Sequence, residues 1–124
     1  IKKYFRDADI VHHLAGVTDV PRTQGESTKI KDDNIKLVGE NGTQNILEAI
    51  SDKCKIIFPS THVIYEGISE IKKEIKEEEQ SKPVLSYSLS KAVNEKQLKD
   101  SGKNYIILIS YTLWITCGKD INDR

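Results

Sequence analysis

At 124 residues, with 19 Lys plus Arg against 19 Asp plus Glu, the chain has the length of one domain and no net formal charge. That length supports a modest core and excludes two domains, and the charge balance excludes the positive field of a nucleic-acid binder or a polyanionic tail. Cys54 and Cys117 lie far apart with no ligand-like spacing, which argues against a zinc site or a disulfide framework and for a reducing compartment.

In chain order, Ile1 to Arg6 reads as the end of a helix or a connector without a capped start, so the chain is expected to begin inside a fold. Asp9-Ile10-Val11-His12-His13-Leu14-Ala15-Gly16 is a short, largely apolar run with a glycine stop, as expected of a central strand in a parallel sheet. Small residues at Ala15 and Gly16 would let a ligand or backbone come close, or Gly16 simply ends the strand. His12 and His13 are assigned to strand packing, with no metal site.

Val17 to Thr28 is polar, contains Pro21 and reads as a loop. Between Lys29 and Ile50 the positions Ile30, Leu37, Val38, Ile46, Leu47 and Ile50 suit a helical stripe, interrupted by Gly39 and by Asn41-Gly42. Asn-Gly is also a hairpin signal, but the flanks do not alternate. A helix in one or two pieces is the preferred reading, with Gly39 and Gly42 packing closely on a sheet.

Lys55 to Thr61 reads as a second buried strand ending in the hydroxyls of Ser60 and Thr61, where an open parallel sheet places its ligand crevice. Pro59 must then sit where its missing N–H is not needed. Glu66 to Ser86 is charged, poorly periodic and read as a mostly irregular excursion. From Tyr87 to about Ser101 a helix would carry Leu89, Ala92, Val93 and Leu98 towards the sheet, with Gly102 as its stop. Tyr105 to Ile109 makes a third buried strand, and Tyr111 to Arg124 shows no clear period. Strand, helix, strand, helix, strand argues for a parallel α/β sheet. No apolar run approaches the roughly 18 residues of a membrane span, and the start lacks a signal peptide's apolar region, so a soluble, cytoplasmic protein is expected.

The stretch with most chemistry in it is Tyr87-Ser88-Leu89-Ser90-Lys91. In a helix, Lys91 lies one turn beyond Tyr87 on the same face, and a nearby cation would lower the phenol's pKa towards the range where it exchanges protons at neutral pH. A hydroxyl from Ser60 or Thr61 could hold a substrate oxygen beside that phenol. Alone, such a pair recurs by chance on solvated helix faces.

Five segments in order resemble the extended short-chain dehydrogenase/reductases of the NAD-dependent sugar epimerase/dehydratase family, over roughly Asp9 to Ile109. They are His13-Leu14-Ala15-Gly16; Thr18-x-Val20-x-Arg22-Thr23; Gly42-Thr43-Gln44-Asn45-Ile46-Leu47-Glu48-Ala49; Pro59-Ser60-Thr61-His62-Val63-Ile64-Tyr65; and Pro83-x-x-x-Tyr87-x-x-Ser90-Lys91 with Glu95 after it. The resemblance implies a Rossmann-like parallel sheet, the C-terminal portion of a dinucleotide-binding domain, over residues 1–110, followed by a tail of unclear structure at 111–124.

The resemblance further implies an NAD- or NADP-dependent epimerase or reductase acting on a nucleotide sugar or similar hydroxyl substrate. Tyr87 would be the acid/base, Lys91 would bind the nicotinamide ribose and lower the Tyr87 pKa, and Thr61 would hydrogen-bond the reacting oxygen. The backbone at Ala15 and Gly16 would pass the cofactor, and Ser60 is the second-choice hydroxyl beside it. Thr61 also reads as a strand-end cap, and His62 as polar surface.

Departures from the family pattern set further expectations. The sequence carries no glycine-rich turn for pyrophosphate, no Arg or Tyr-Gly-Pro-like turn after the third strand, and Gly39 where many relatives have Asn. His62-Val63 replaces the Asp-Glu of sugar 4,6-dehydratases, which argues against dehydration. The chain thus reads as a piece of a longer protein, with weak catalysis and marginal stability or self-association when isolated, because the edge of the strand at Ile10 to Ala15 would be unpaired. A homodimer through the helices preceding the second and third strands is one expectation. A non-catalytic binding or scaffold domain with the same fold is the alternative function.

Overall fold

The computed structural model describes residues 2–17, 29–69, 75–76 and 78–110. Helix α1 (Lys2–Phe5) leads into strand β1 (Ile10–His12), followed by α2 (Lys29–Ile35), a π-helical turn (Lys36–Glu40) and α3 (Asn41–Ala49). Strand β2 (Lys55–Thr61) ends in a 3-10 turn (His62–Tyr65), and α4 (Ser86–Asp100) precedes β3 (Asn104–Ser110). The expected loop and motif at 18–28 and the tail from Tyr111 lie outside the described residues. No helix among the described residues is long and apolar enough to cross a membrane.

The three strands form one parallel sheet in the order β1–β2–β3. Ile10 to His12 lie opposite Lys55 to Ile57, and Lys55 to Thr61 opposite Asn104 to Ser110. The α/β reading holds, but β1 is shorter than the apolar run predicts. After His13 N–H bonds the Ile57 carbonyl at 3.0 Å, Leu14 N–H turns back to the His12 carbonyl at 3.1 Å and the chain leaves the ladder. That departure explains Pro59. Lys55 N–H bonds Asp9 and the Ile57 carbonyl accepts from His13, so odd residues of β2 face β1. Pro59 stands beyond the last of these bonds, where no N–H is required.

Ile56 and Phe58 are fully buried and pack with Val11, Leu47, Ile50, Cys54 and Leu98. These residues join one face of the sheet to α3 and α4, and their burial is the main apolar stabilisation of the fold. The third strand is not buried as the sequence predicts: Tyr105, Ile106, Leu108 and Ile109 are all more than a third exposed. It pairs with β2 alone among the described strands, so a run as apolar as a central strand's stands at an edge.

The helical stripe differs in detail. Ile35, Leu47 and Ile50 are buried, but Ile30, Leu37 and Val38 are exposed. Gly42 touches nothing within 4 Å at its Cβ position, so it does not serve close packing. Gly39 does, though against α4 and not the sheet: a Cβ there would lie 2.6 Å from Ser90 Oγ. The buried face of α4 is likewise mostly polar, comprising Ser88, Ser90, Asn94, Glu95 and Leu98, while Leu89 and Val93 are exposed. Gly102, at φ +69°, ends α4 as expected.

Candidate functional site

The C-terminal ends of β1 and β2 meet the first turns of α4. Ala15 and Gly16, just past β1, line a small cleft with Gly39, Tyr87, Lys91 and Asn94. A Cβ at Gly16 would meet nothing within 4 Å, so the small residue leaves open space at the strand end. This is where parallel α/β sheets bind ligands.

Lys91 crosses from α4 to β2. Its Nζ donates to the Pro59 carbonyl at 2.9 Å and stands over the Phe58 ring, 4.5 Å from the centroid. The Pro59 oxygen faces the side β1 has left, so the lysine takes up an acceptor that the ladder leaves open. Burial pushes the Lys91 amine down, and Glu95 opposes that shift. Tyr87 is near, with Nζ 6.0 Å from its ring centroid. Its phenol is nevertheless pushed up by burial, so the lowering expected from Lys91 does not occur in this arrangement. The lysine's charge is spent on the Pro59 carbonyl and the Phe58 face, and Tyr87 stands as a protonated donor.

Thr61 is buried, and its Oγ1 accepts the Val63 N–H at 3.3 Å, capping the 3-10 turn. The cap uses a lone pair and leaves the hydroxyl proton to give. Ser60 lies on the helix-facing side of β2 and donates to Glu95 Oε1 at 2.5 Å. The two adjacent hydroxyls therefore part company: Thr61 sits at the strand end and Ser60 is committed to α4.

His13 is buried, as strand packing predicts, whereas His12 is exposed. His13 Nε2 lies 2.8 Å from Thr43 Oγ1, and Thr43 donates to the Gly39 carbonyl at 2.9 Å. With its proton so placed, Thr43 accepts, which assigns the His13 proton to Nε2. Burial and then the Lys91 charge push His13 down, so the ring is neutral at pH 7.

One group has no local sequence signal. Glu66 Oε1 accepts from the backbone N–H of Val84 and of Leu85, each at 2.7 Å, and from the Ser88 hydroxyl. It caps the start of α4 from about twenty residues upstream, and Leu85 itself offers no side-chain cap. The backbone reinforces it: Lys82 N–H bonds the Ile64 carbonyl and Gly67 N–H the Lys82 carbonyl, both at 2.9 Å. Thr61 and Tyr87 are thereby fixed to each other through the turn, Glu66 and the helix start.

The sequence profile described as the NAD dependent epimerase/dehydratase family matches residues 1–118. Among solved structures, UDP-glucuronic acid 4-epimerase from Bacillus cereus, in complex with NAD, is similar at 24% identity with a TM-score of 0.71. The match covers 90% of this chain and 35% of that one. UDP-N-acetylglucosamine 4-epimerase from Methanobrevibacter ruminantium M1, in complex with UDP-N-acetylmuramic acid, matches at 24% identity and a TM-score of 0.69, over 86% of this chain and 34% of that one. RMD from Pseudomonas aeruginosa, complexed with NADPH, matches at 24% identity and a TM-score of 0.63, over 80% and 35%. The chain thus spans about a third of the length of these relatives. No curated protein matches.

Proposed function

Because the chain belongs to the NAD-dependent epimerase/dehydratase family, we propose that it is a segment of an NAD(P)-dependent epimerase or reductase acting on a nucleotide sugar or similar hydroxyl substrate. The observation that carries this reading is the meeting of Lys91 and Tyr87 with the small strand end Ala15-Gly16 in one cleft, beside the Pro59-to-Thr61 end of β2.

These residues fit a nicotinamide ribose. Gly16 puts no side chain in the way at the strand end, and Lys91, a half-buried donor aimed at a carbonyl, can give its remaining N–H bonds to sugar hydroxyls. Lys91 and the Ala15-Gly16 backbone would hold the nicotinamide, which when bound would supply hydride exchange with the substrate carbon. Tyr87 exchanges the matching proton at the substrate oxygen, and in its protonated state it is ready to give one to a carbonyl being reduced. Thr61 Oγ1 orients that oxygen with the proton its cap leaves free. Lys91 turned towards a ribose and the Tyr87 phenol would bring the latter's pKa down.

Two further features fit the reading. Leu37, Val38, Leu89 and Val93 are exposed on the segments preceding β2 and β3, an apolar face suited to a second copy of the chain. The free, buried thiol of Cys54 suits a cytoplasmic setting.

Titration of the full chain with NADH, followed by nicotinamide fluorescence, tests the assignment. Saturable binding that Lys91→Ala abolishes is expected. Binding unaffected by Lys91→Ala would remove Lys91 from the cofactor site, and no binding by either protein would mean that this chain is an incomplete enzyme or a scaffold.

A further inference from the structure

Tyr87, Lys91, Glu95 and Lys99 follow one another at intervals of four residues, so phenol, amine, carboxylate and amine form a single stripe along α4. The first two belong to the cleft already described. Glu95, the third, has no part in that chemistry and yet is 7% exposed, which is rare for a carboxylate. A buried carboxylate is retained at a cost unless it is paired and hydrogen-bonded. Glu95 is both: Oε1 takes the Ser60 proton at 2.5 Å, and Oε2 lies 3.5 Å from Lys99 Nζ.

We propose that Glu95 is a positioning residue for the Tyr87–Lys91 pair. Its carboxylate locks the end of β2 to α4 through Ser60 and, one turn from Lys91, supplies the negative charge that holds that buried amine as an ammonium. The inference deepens the reading of the cleft as a nicotinamide site and rests on it for its functional meaning. Its physical content stands on the stripe, the burial and the Ser60 bond.

The surroundings of Lys91 leave Glu95 as the source of that charge among the described residues. From the end of β1 comes His13, neutral and unable to stabilise a cation by charge. Strand β2 contributes the Pro59 carbonyl and the Phe58 ring, which are polar or polarisable but uncharged. On α4 itself stand Tyr87, protonated, and Glu95. Burial works against the ammonium, and Glu95 works for it. Glu95 in turn lies in a wider groove with Lys99, Lys76, Glu78, Glu79, Tyr65 and Tyr105. Of these the contact with Lys99, mostly exposed, is the ion pair that fixes its outer oxygen.

The bond to Ser60 explains why that hydroxyl is not at the strand end beside Thr61. It ties β2 to the helix one residue before Thr61 and one after Pro59, so the two strand groups used by the site are set by a clamp between them. Charge and clamp are separable. Glu95→Gln keeps an acceptor of the same shape for Ser60 and removes the charge, whereas Ser60→Ala removes the bond and keeps the charge.

The experiment is competitive trace acetylation of the full chain over a pH series, with the Lys91 peptide quantified by mass spectrometry and no cofactor present. Accessibility sets the amplitude of the profile, and the charge around the amine sets its midpoint. A structural role alone would change the first and not the second. The midpoint for Lys91 is expected to move down in Glu95→Gln, making Lys91 several-fold more reactive at a fixed mildly alkaline pH, with the Lys36 peptide as the internal reference. In Ser60→Ala it should stay at the wild-type position.

An unmoved midpoint in folded Glu95→Gln overturns the proposal, as does an equal downward shift in Ser60→Ala. Should Glu95→Gln fail to fold by circular dichroism, Glu95→Asp decides. A wild-type midpoint there supports the charge role, and a lowered one overturns it. Because the measurement needs no nicotinamide, failure of NADH to bind would sink the cofactor assignment while leaving this result to stand or fall separately.

Discussion

The Glu66 carboxylate accepts the Leu85 N–H at 2.7 Å, and this bond joins the turn after β2 to the residue just before the helix that carries Tyr87. Glu66→Ala should therefore loosen the helix start as loss of an N-cap does, costing about 1 to 2 kcal/mol. Chemical denaturation with circular dichroism measures it, and a midpoint equal to wild type would show that the cap is idle. Acid should have the same effect. Burial raises the Glu66 pKa, but hydrogen bonds from Ser88, Leu85 and Val84 outweigh it and the net shift is downward. A carboxylate depressed in the folded state stabilises fully above its unfolded value and stops doing so as pH falls through the folded one. The stability difference between wild type and Glu66→Ala should thus shrink only in the acid range below the ordinary glutamate value of 4.5.

His13 titrates in a separate window. Burial, and second the Lys91 charge, hold its pKa below the ordinary value of 6.5. The unfolded chain then binds a proton that the folded chain refuses, so this part of the stability is complete above 6.5 and declines as pH falls below it. Thermal melts at about pH 7.5 and about pH 5.5 should show a loss in wild type that is smaller in His13→Asn, which keeps a donor for Thr43 and does not titrate. Parallel losses in the two proteins would assign the acid sensitivity elsewhere.

What the sequence made legible follows from locality. The strand at Lys55 to Thr61 is a short apolar run ending in hydroxyls and the helix from Ser86 lies between Pro83 and Gly102, and both short-range patterns match the structure within a residue. Tyr87 and Lys91 share a helix face for the same reason. The apolar pattern failed where coverage decides exposure: Leu89 and Val93 have the spacing of core residues, yet α4 buries Ser88, Ser90 and Asn94 instead. Gly39 is why. Its missing side chain lets the π-helical turn approach Ser90 closely, so the contact needs small residues and not large ones. Glu66 and Ser60 act through partners 19 and 35 residues away, and no local rule reaches that far.

The exposed apolar residues that the pattern misassigned set a prediction about assembly. Leu89 and Val93 are one turn apart on α4 and are 47% and 38% exposed, with Leu37 and Val38 also uncovered. Sedimentation should show a concentration-dependent dimer, weakened roughly tenfold or more by Leu89→Lys with Val93→Lys. The competing contact is the edge of β1 that no other described strand pairs, where Ile10 is 54% exposed. Association that survives both lysines would point there.

Gly39 offers the sharpest test of packing, because two opposed effects meet at it. Alanine suits a helix better than glycine by about 1 kcal/mol. Here, however, its Cβ would lie 2.6 Å from Ser90 Oγ, closer than side chains tolerate, and Ser90 is itself 4% exposed with little room to swing aside. Overpacking of this kind costs about 1 to 3 kcal/mol, so Gly39→Ala should be net destabilising. Ser90→Ala removes the oxygen and leaves Ser90 Cβ 3.9 Å from the new methyl group, an ordinary contact. In the double variant the clash is gone and the helical gain remains, so a double-mutant cycle by denaturation should give a favourable coupling of about 1 kcal/mol or more. Additive effects would mean that the π-helical turn yields to the methyl group without help from Ser90.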